Sequence, residues 1–400
     1  MTRVRFRRRT RFLSLNDYAP AARRLLPRAL YAYLTSSAGE GRSLEENNAA
    51  FRRWSLMPRV LRGVAGRDTG VSLFGHRYAV PIGVAPFGAA AVIGFDADRA
   101  MARAARRANV PYLLSANSIT PMEAVIAENP DAWFAAYFPS DRSVIEAMLA
   151  RIGAAGFKVL VITVDVPVAN PREGERRAHY TMPLRVTPRL ALDMATHPRW
   201  LLGRFARTLA ARGVPRISNI TATPGPSIFS RHHGTVGGAE AFDWDTIREI
   251  RRGWSGRLVL KGVLSPKDAT LAQECGVDGL VVSNHGARMI DSVVAPIQAI
   301  AAIRAVCPDM MLLLDSGVRR SADIYKAMAL GADAVLIGRP FFFSAILGGE
   351  AGLGEALSLI RAEFDRDMAY LGLRSCDEIG RHILVDRFAP GGQDPSNAVR

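Results

Sequence analysis

The residues able to do chemistry in this chain gather just after short apolar runs. Lys261 interrupts one of them, Leu258-Val-Leu-Lys-Gly-Val-Leu264. The chain has four lysines, and arginine carries the rest of its fixed positive charge. A lysine embedded this way can be a Schiff-base nucleophile or a fixed cation facing an anionic ligand. The plain alternative is an amine that snorkels out at a strand end. A second run ends in Ser283-Asn284-His285-Gly286-Ala287-Arg288. Its histidine is a candidate general base, and its arginine can hold a carboxylate in a bidentate fork. Asp165, in Thr163-Val-Asp165, can orient the imidazole and stabilise its cation; otherwise it caps a strand end. Asp315-Ser-Gly317-Val-Arg319 and Gly338-Arg339 close two more runs. Backbone N–H groups near glycines, with an arginine beside them, suit a phosphate. Ser115 and Tyr137 complete the polar set. Together these residues suggest a phosphate-bearing cofactor, a cation beneath it, and a histidine–arginine pair facing a small carboxylic acid.

The runs that carry them span 79–86, 111–116, 132–138, 159–167, 258–264, 279–284, 311–315 and 334–338. Near-continuous apolar runs suit strands of a parallel sheet buried on both faces. The stretches 96–108, 120–128, 142–155, 265–275, 295–306 and 321–330 have helical spacing. Several open on capping signals, at Thr120-Pro121, Ser265-Pro266 and Ser321. Eight β/α repeats in roughly 260 residues predict an α/β fold, a (β/α)8 barrel of the TIM type. An open doubly wound sheet is the alternative, but no G-x-G-x-x-G turn is present. In a barrel, functional groups collect at the C-terminal ends of the strands, where the polar set falls.

Residues 1–78 read as an N-terminal arm and helical extension, with a helix over 21–34. Residues 79–390 read as the barrel and 391–400 as a tail. The stretch 168–240, after the fourth strand, is far longer than an ordinary βα loop and reads as a lid or insertion. Within it, Trp200–Arg212 is basic and amphipathic. It reads first as a helix packed on the barrel and second as a membrane-surface helix.

Composition narrows the classes. With 49% hydrophobic and 22% charged residues, the 400-residue chain is globular rather than disordered, collagen-like or coiled-coil. No run approaches the ~18–20 apolar residues of a membrane span, and the arginine-rich start lacks an apolar secretory region. Cys275, Cys307 and Cys376 are scattered and odd in number, which fits a reducing compartment rather than a disulfide framework. Net charge is +15. It could serve nucleic acid, an anionic membrane or anionic ligands. The arginines are diffuse, with no aromatic platform or nucleic-acid-reading motif, so nucleic acid is not an expected partner. The one dense cluster, Arg3, Arg5, Arg7, Arg8, Arg9 and Arg11, reads as a flexible arm. No metal-ligand spacing and no Walker motif is visible.

From about Leu13 to Arg387 the chain resembles the FMN-dependent α-hydroxy-acid dehydrogenase/oxidase family, which includes glycolate oxidase, L-lactate dehydrogenase and mandelate dehydrogenase. The motifs are S-N-H-G-A-R-x-x-D at 283–291, T-V-D-V-P at 163–167 and K-G at 261–262. D-S-G-V-R-R at 315–320 and A-L-G-A-D-A-V-L-I-G-R-P at 329–340 complete them. His-Pro-Arg-Trp at 197–200 looks like the bacterial, often membrane-associated branch.

The resemblance implies FMN as cofactor and oxidation of a small L-2-hydroxy acid to the 2-oxo acid. It implies His285 as the base, Asp165 as its partner, and Tyr137 as a hydrogen bond to the substrate oxygen. Tyr33, Arg172 and Arg288 would grip the carboxylate. Lys261 would stabilise negative charge on reduced flavin. Ala85, Pro86, Ser115, Thr163 and Ser283 would line the cofactor, and Asp315, Gly317, Arg319, Gly338 and Arg339 would hold its ribityl phosphate end. The family also implies a homo-oligomer, a tetramer, in the cytoplasm or on the inner face of the cytoplasmic membrane.

Three positions depart from the family pattern. Ala135 replaces a glutamine that contacts flavin, and Ala287 replaces a second glycine. The loop after Arg172 reads Glu-Gly-Glu-Arg-Arg-Ala-His-Tyr in place of the common acidic–asparagine pattern. Gly88, in Ala-Pro-Phe-Gly, leans toward a dehydrogenase using a quinone or carrier protein; an oxygen-using oxidase is the alternative. No C-x-x-C-H is present for a covalent haem. An FMN-binding barrel with altered or lost turnover is the competing reading. The insertion, Phe87 and Asn117 would shape the pocket for the substrate side chain.

Overall fold

The computed structural model describes residues 12–388 apart from 89, 169, 171, 182–184, 186, 222–224, 226, 228–229 and 231–238. The arginine-rich arm, the tail 391–400 and part of the insertion therefore lie outside the described residues. The apolar runs form eight parallel strands: β1 (Ile82–Val84), β2 (Leu113–Ser115), β3 (Trp133–Ala136), β4 (Val159–Thr163), β5 (Arg257–Val263), β6 (Gly279–Val282), β7 (Met311–Leu314) and β8 (Ala334–Ile337). Each pairs with its sequence neighbours, β8 pairs with β1, and a parallel bridge from Val84 to Tyr112 brings β1 to β2. The sheet thus closes into the expected (β/α)8 barrel.

Alternation along the strands separates two cores. Leu113, Trp133, Ala135, Val159, Val161, Val259, Val281, Leu313, Ala334 and Leu336 pack together inside the barrel. Their neighbours, such as Leu114, Phe134, Leu160, Leu280 and Val335, pack outward under the helices. Carrying the inward parity one step past the interior layer reaches Ala85, Ser115, Tyr137, Thr163, Lys261, Ser283, Asp315 and Gly338. Period-two geometry therefore aims one predicted residue from every strand at one rim.

The N-terminal mouth is closed by a hairpin, Val71–Leu73 with His76–Tyr78. Its two-residue turn, Phe74-Gly75, has both φ angles positive, at 49° and 84°. That turn matches the strand twist and presses the Phe74 ring to 5.5 Å from Trp133. Strand Trp54–Leu56 pairs with Leu384–Asp386, tying the two ends of the chain together.

The helices follow their caps in part. Ser265 accepts from the backbone N–H of Asp268, with Pro266 opening the helix Pro266–Glu274. Thr120 does not cap: its hydroxyl donates to Asp98 Oδ2 at 2.9 Å, and Met122–Ile126 begins after Pro121. Ser321 lies inside its helix, donating to Glu363 and Asp367. The helix expected over 21–34 is two, Tyr18–Leu25 and Arg28–Thr35. Leu26 is extended and Pro27 supplies no N–H, so the chain turns there. A further pair, Arg339–Tyr370, was not expected from the sequence; it bends at Gly349 (φ 59°, ψ −137°). It is long and apolar enough to cross a membrane, contrary to the reading of the runs. Yet Phe341, Phe342, Ile346, Leu353, Leu357 and Phe364 are buried within the protein.

The 200–212 stretch packs on the barrel, as its first reading held. Trp200 is buried and its indole donates to Ile93 O at 2.9 Å. Arg204 donates to the carbonyls of Ile346 and Leu347, and Thr208 to Ala91. Its middle, Leu201–Ala206, is π-helical.

Candidate active site

The turn after β6 is the most constrained backbone on the rim. His285, Gly286 and Ala287 have φ of 57°, 64° and 64° in succession. Non-glycine residues adopt this conformation at a cost of about 1–2 kcal/mol each, so the surroundings must enforce it. Ser283 Oγ accepts from the backbone N–H of His285 at 3.0 Å. Ser316 Oγ accepts from Gly286 N–H at 3.0 Å, and Asn284 Oδ1 from Ala287 N–H at 3.2 Å. Asn284 and Asn47 exchange two buried amide hydrogen bonds, at 2.9 and 2.6 Å. Asp291, last residue of the motif, accepts from the backbone N–H groups of Glu40, Gly41, Arg42 and Ser43. Those backbone donors, Ser43 first, hold its carboxyl down at about 2. The same turn that presents the histidine thus anchors the N-terminal extension and brings Tyr33 to the rim.

His285 Nδ1 lies 2.9 Å from Asp165 Oδ1. A carboxylate only accepts, so Nδ1 carries a proton in this bond, and in the neutral ring Nε2 is the acceptor. Nε2 lies 3.5 Å from the Tyr137 hydroxyl. Burial pushes the Asp165 carboxyl up, but His285 and Lys261 outweigh it and the net shift is downward. Burial pushes Tyr137 up to about 12, so it stays a hydroxyl donor.

Lys261 is 4% exposed, which excludes snorkelling. Its amine donates to Ser283 Oγ at 2.8 Å and pairs with Asp315 Oδ2 at 3.1 Å. Burial pulls the ammonium down, yet Asp315 and Asp165 together raise it above its ordinary value. It is therefore a fixed cation rather than a free amine nucleophile.

Arg319 and Arg339 make a second cationic group. Burial pulls Arg339 down to about 9, with Arg288 and Arg319 adding like-charge repulsion. Burial also lowers Arg319, whose side chain among the described residues makes one hydrogen bond, to Val318 O at 2.8 Å. The two guanidiniums border a pocket of about 220 Å³ whose lining has no acidic residue. Asp323 and Asp315 offset part of this charge, and two guanidiniums bordering an acid-free pocket fit an incoming phosphate. On the opposite side of the rim the Thr163 hydroxyl is buried and makes no hydrogen bond. Buried polar groups are rarely left so, and a polar cofactor edge there would satisfy it. A larger pocket, of about 540 Å³, lies between Ala97–Ala108 and the C-terminal helix pair, away from the strand ends.

Beyond His285 on the same turn, Arg288 NH1 donates to the carbonyls of Tyr33 (2.8 Å) and Ser36 (3.2 Å). Its guanidinium stands 5.4 Å from the Tyr33 ring centre. Tyr33 donates to Gly88 O at 3.4 Å and packs 4.8 Å from the Tyr180 ring. Arg172 joins them from the insertion, through Glu175: Oε1 accepts from Arg172 Nε at 2.5 Å and from Arg288 NH2 at 3.2 Å. Asn47 was not singled out from the sequence; Asp291 and Ser316 stood in quoted motifs, and Glu175 and Tyr180 in the loop after Arg172, with no role given to any of them. The i, i+3 spacing of Arg172 and Glu175 was the available signal for one of them.

The remaining candidates stand around this cluster. Ser115 is buried and its hydroxyl accepts from Asn117 N–H at 3.2 Å. Ala85, followed by Pro86, lies beside Gly338, where an added Cβ would be 3.7 Å from the Ala85 Cβ. Gly317 has a fold-level requirement of its own: at φ 97°, a Cβ would come within 1.9 Å of Asn47 O. Ala135 is fully buried one layer beneath Tyr137. Among the described residues, no group of three or more His, Cys, Asp and Glu is placed to hold a metal ion.

Comparison with known proteins bears on the same residues. The pattern of the family described as FMN-dependent dehydrogenase matches residues 22–386. An L-lactate dehydrogenase of Ectopseudomonas mendocina is 36% identical over 376 residues, 92% of this chain and 97% of that protein. The (S)-mandelate dehydrogenase of Pseudomonas putida is 32% identical over 361 residues, 90% of each chain. A crystal structure of monotopic membrane protein (S)-mandelate dehydrogenase superimposes with a TM-score of 0.87 at 30% identity, over 94% of this chain and 100% of that one. With its barrel and its sequence matching over nearly the whole length, the chain belongs to the FMN-dependent dehydrogenase family, as an α-hydroxy-acid dehydrogenase.

Proposed function

We propose that the protein oxidises a small L-2-hydroxy acid, lactate- or mandelate-like, to the 2-oxo acid, with electrons leaving through FMN to a quinone or carrier protein. The observation that carries the reading is the 2.9 Å contact of His285 with Asp165, with Arg288 on the same turn. FMN, when bound, supplies the two-electron acceptor. Lys261 and Thr163 would face its ring, and Arg319 and Arg339 its phosphate.

Arg288, Tyr33 and Arg172 bind the substrate carboxylate and set the reacting carbon toward His285. Holding two groups in reacting geometry is itself worth orders of magnitude in rate. Nε2 of His285 takes a proton from the substrate, and Asp165 stabilises the imidazolium that results. Tyr137 donates to the substrate oxygen. The relatives include L-lactate and (S)-mandelate dehydrogenases, which supports this substrate class. Contact with a membrane surface is proposed for the insertion, whose exposed Leu192 and Leu202 accompany exposed Arg189 and Arg199.

The test is an anaerobic titration of the FMN-loaded protein with glycolate, L-lactate, L-mandelate and bulkier 2-hydroxy acids. Bleaching of the flavin band by one of them is expected. Readmitted air should then restore the band slowly and a quinone quickly. No bleaching by any acid, with flavin bound, would favour a barrel whose ordinary turnover is lost.

A further inference from the structure

The outgoing limb of the histidine turn is held from two sides. Ala287 O accepts from the backbone N–H of Ala38 at 2.8 Å, which ties the limb to the N-terminal extension. The next two carbonyls, of Arg288 and Met289, both accept from the side-chain amide of Asn170, the first at 3.1 Å. Asn170 is half-buried near the start of the insertion, two residues before Arg172. Its amide nitrogen carries two N–H donors, one for each carbonyl. One side chain thus joins the segment carrying Arg172 to the segment carrying Arg288.

The two arginines converge. Glu175 Oε1 accepts from Arg172 Nε at 2.5 Å and from Arg288 NH2 at 3.2 Å. They can share one ligand carboxylate only while their segments keep this register. The histidine is held separately: its backbone N–H bonds Ser283 Oγ and its ring bonds Asp165. Loosening the Asn170 link should therefore disturb the pairing of the arginines and leave the base in place.

We propose that Asn170 is a positioning residue: its amide clamps the insertion to the histidine turn, holds Arg172 in register with Arg288, and so governs substrate affinity rather than the proton-transfer step. The inference rests on the proposed role of these arginines as carboxylate ligands. Rapid anaerobic mixing of the FMN-loaded protein with L-lactate and with L-mandelate tests it, because it separates the substrate dissociation constant from the limiting rate of flavin reduction. Asn170→Ala should raise the dissociation constant on the order of ten-fold, with the limiting rate within about threefold of wild type. In an Arg172→Met background, where the affinity is already lowered, Asn170→Ala should add less than about twofold. Should Asn170→Ala fail to fold, Asn170→Ser, too short to reach both carbonyls, carries the same expectations. Effects that multiply in the double variant would overturn the proposal, as would a fall in the limiting rate at unchanged affinity. Wild-type affinity in Asn170→Ala, with Arg172→Met weakened, would sink the clamp and leave the carboxylate reading standing. Wild-type affinity in Arg172→Met would remove that reading for Arg172, and the clamp with it.

Discussion

His285 and Asp165 come from β6 and β4, which flank β5, and meet across 120 residues of sequence at 2.9 Å. Between those two strand ends stands Lys261 of β5, paired with Asp315. Base, orienting carboxylate and cation are therefore one electrostatic unit spread over consecutive strands. Asp165→Asn keeps the size of the side chain but removes the charge that fixes the tautomer and steadies the imidazolium. Flavin reduction by substrate should fall by roughly 10²–10⁴-fold with FMN still bound, read by anaerobic rapid mixing. A loss below about threefold would separate the aspartate from the proton transfer.

Removing Lys261 leaves two buried acids without their cation. Lys261→Met should destabilise the protein by about 3–5 kcal/mol, measured from denaturant midpoints. Adding Asp315→Asn should recover part of that stability but none of the reduction rate. Full recovery of both would make the lysine purely structural.

Arg319 and Arg339 repel each other, and burial pulls both guanidiniums down. Arg319→Met should therefore weaken FMN while sparing riboflavin, which lacks the phosphate. One lost charge-assisted hydrogen bond of about 1.5–3 kcal/mol corresponds to roughly 10–100-fold in FMN affinity. Fluorescence titration of the flavin-free protein with both ligands reads the difference. Equal weakening of both would place the phosphate elsewhere.

Ala287 holds φ at 64°, the conformation glycine adopts without cost. Ala287→Gly should stabilise the protein by up to about 1 kcal/mol, the released backbone strain being partly offset by the greater freedom of the unfolded chain. Thermal midpoints test it. A clear destabilisation would mean that the buried methyl contributes more by packing than its conformation costs.

Much of this site was legible because period two is rigid. Once eight apolar runs are placed as barrel strands, parity alone selects Ser115, Tyr137, Thr163, Lys261, Ser283 and Asp315 for the rim. What escaped depended on contacts distant in sequence. Asn47 and Asn284, or Asp291 and the 40–43 backbone, pair across some 240 residues with no local mark. The break at Pro27 was written in the chain, since proline inside an expected helix ends it. The helix pair after β8 was obscured by Gly348, Gly349, Gly352 and Gly354, which dilute its apolar pattern. Ala287 was visible as a departure, but only its positive φ gives the reason that glycine suits the position.

The central claim is that His285 takes a proton from a carboxylate-anchored L-2-hydroxy acid. Rapid anaerobic mixing of FMN-loaded wild type and His285→Gln with L- and D-lactate and L- and D-mandelate tests it directly. The account predicts flavin bleaching by an L-acid alone in wild type, and at least about 10²-fold slower bleaching in His285→Gln with flavin retained. Equal rates in the two proteins, or bleaching by the D-acid as fast as by the L-acid, would contradict it.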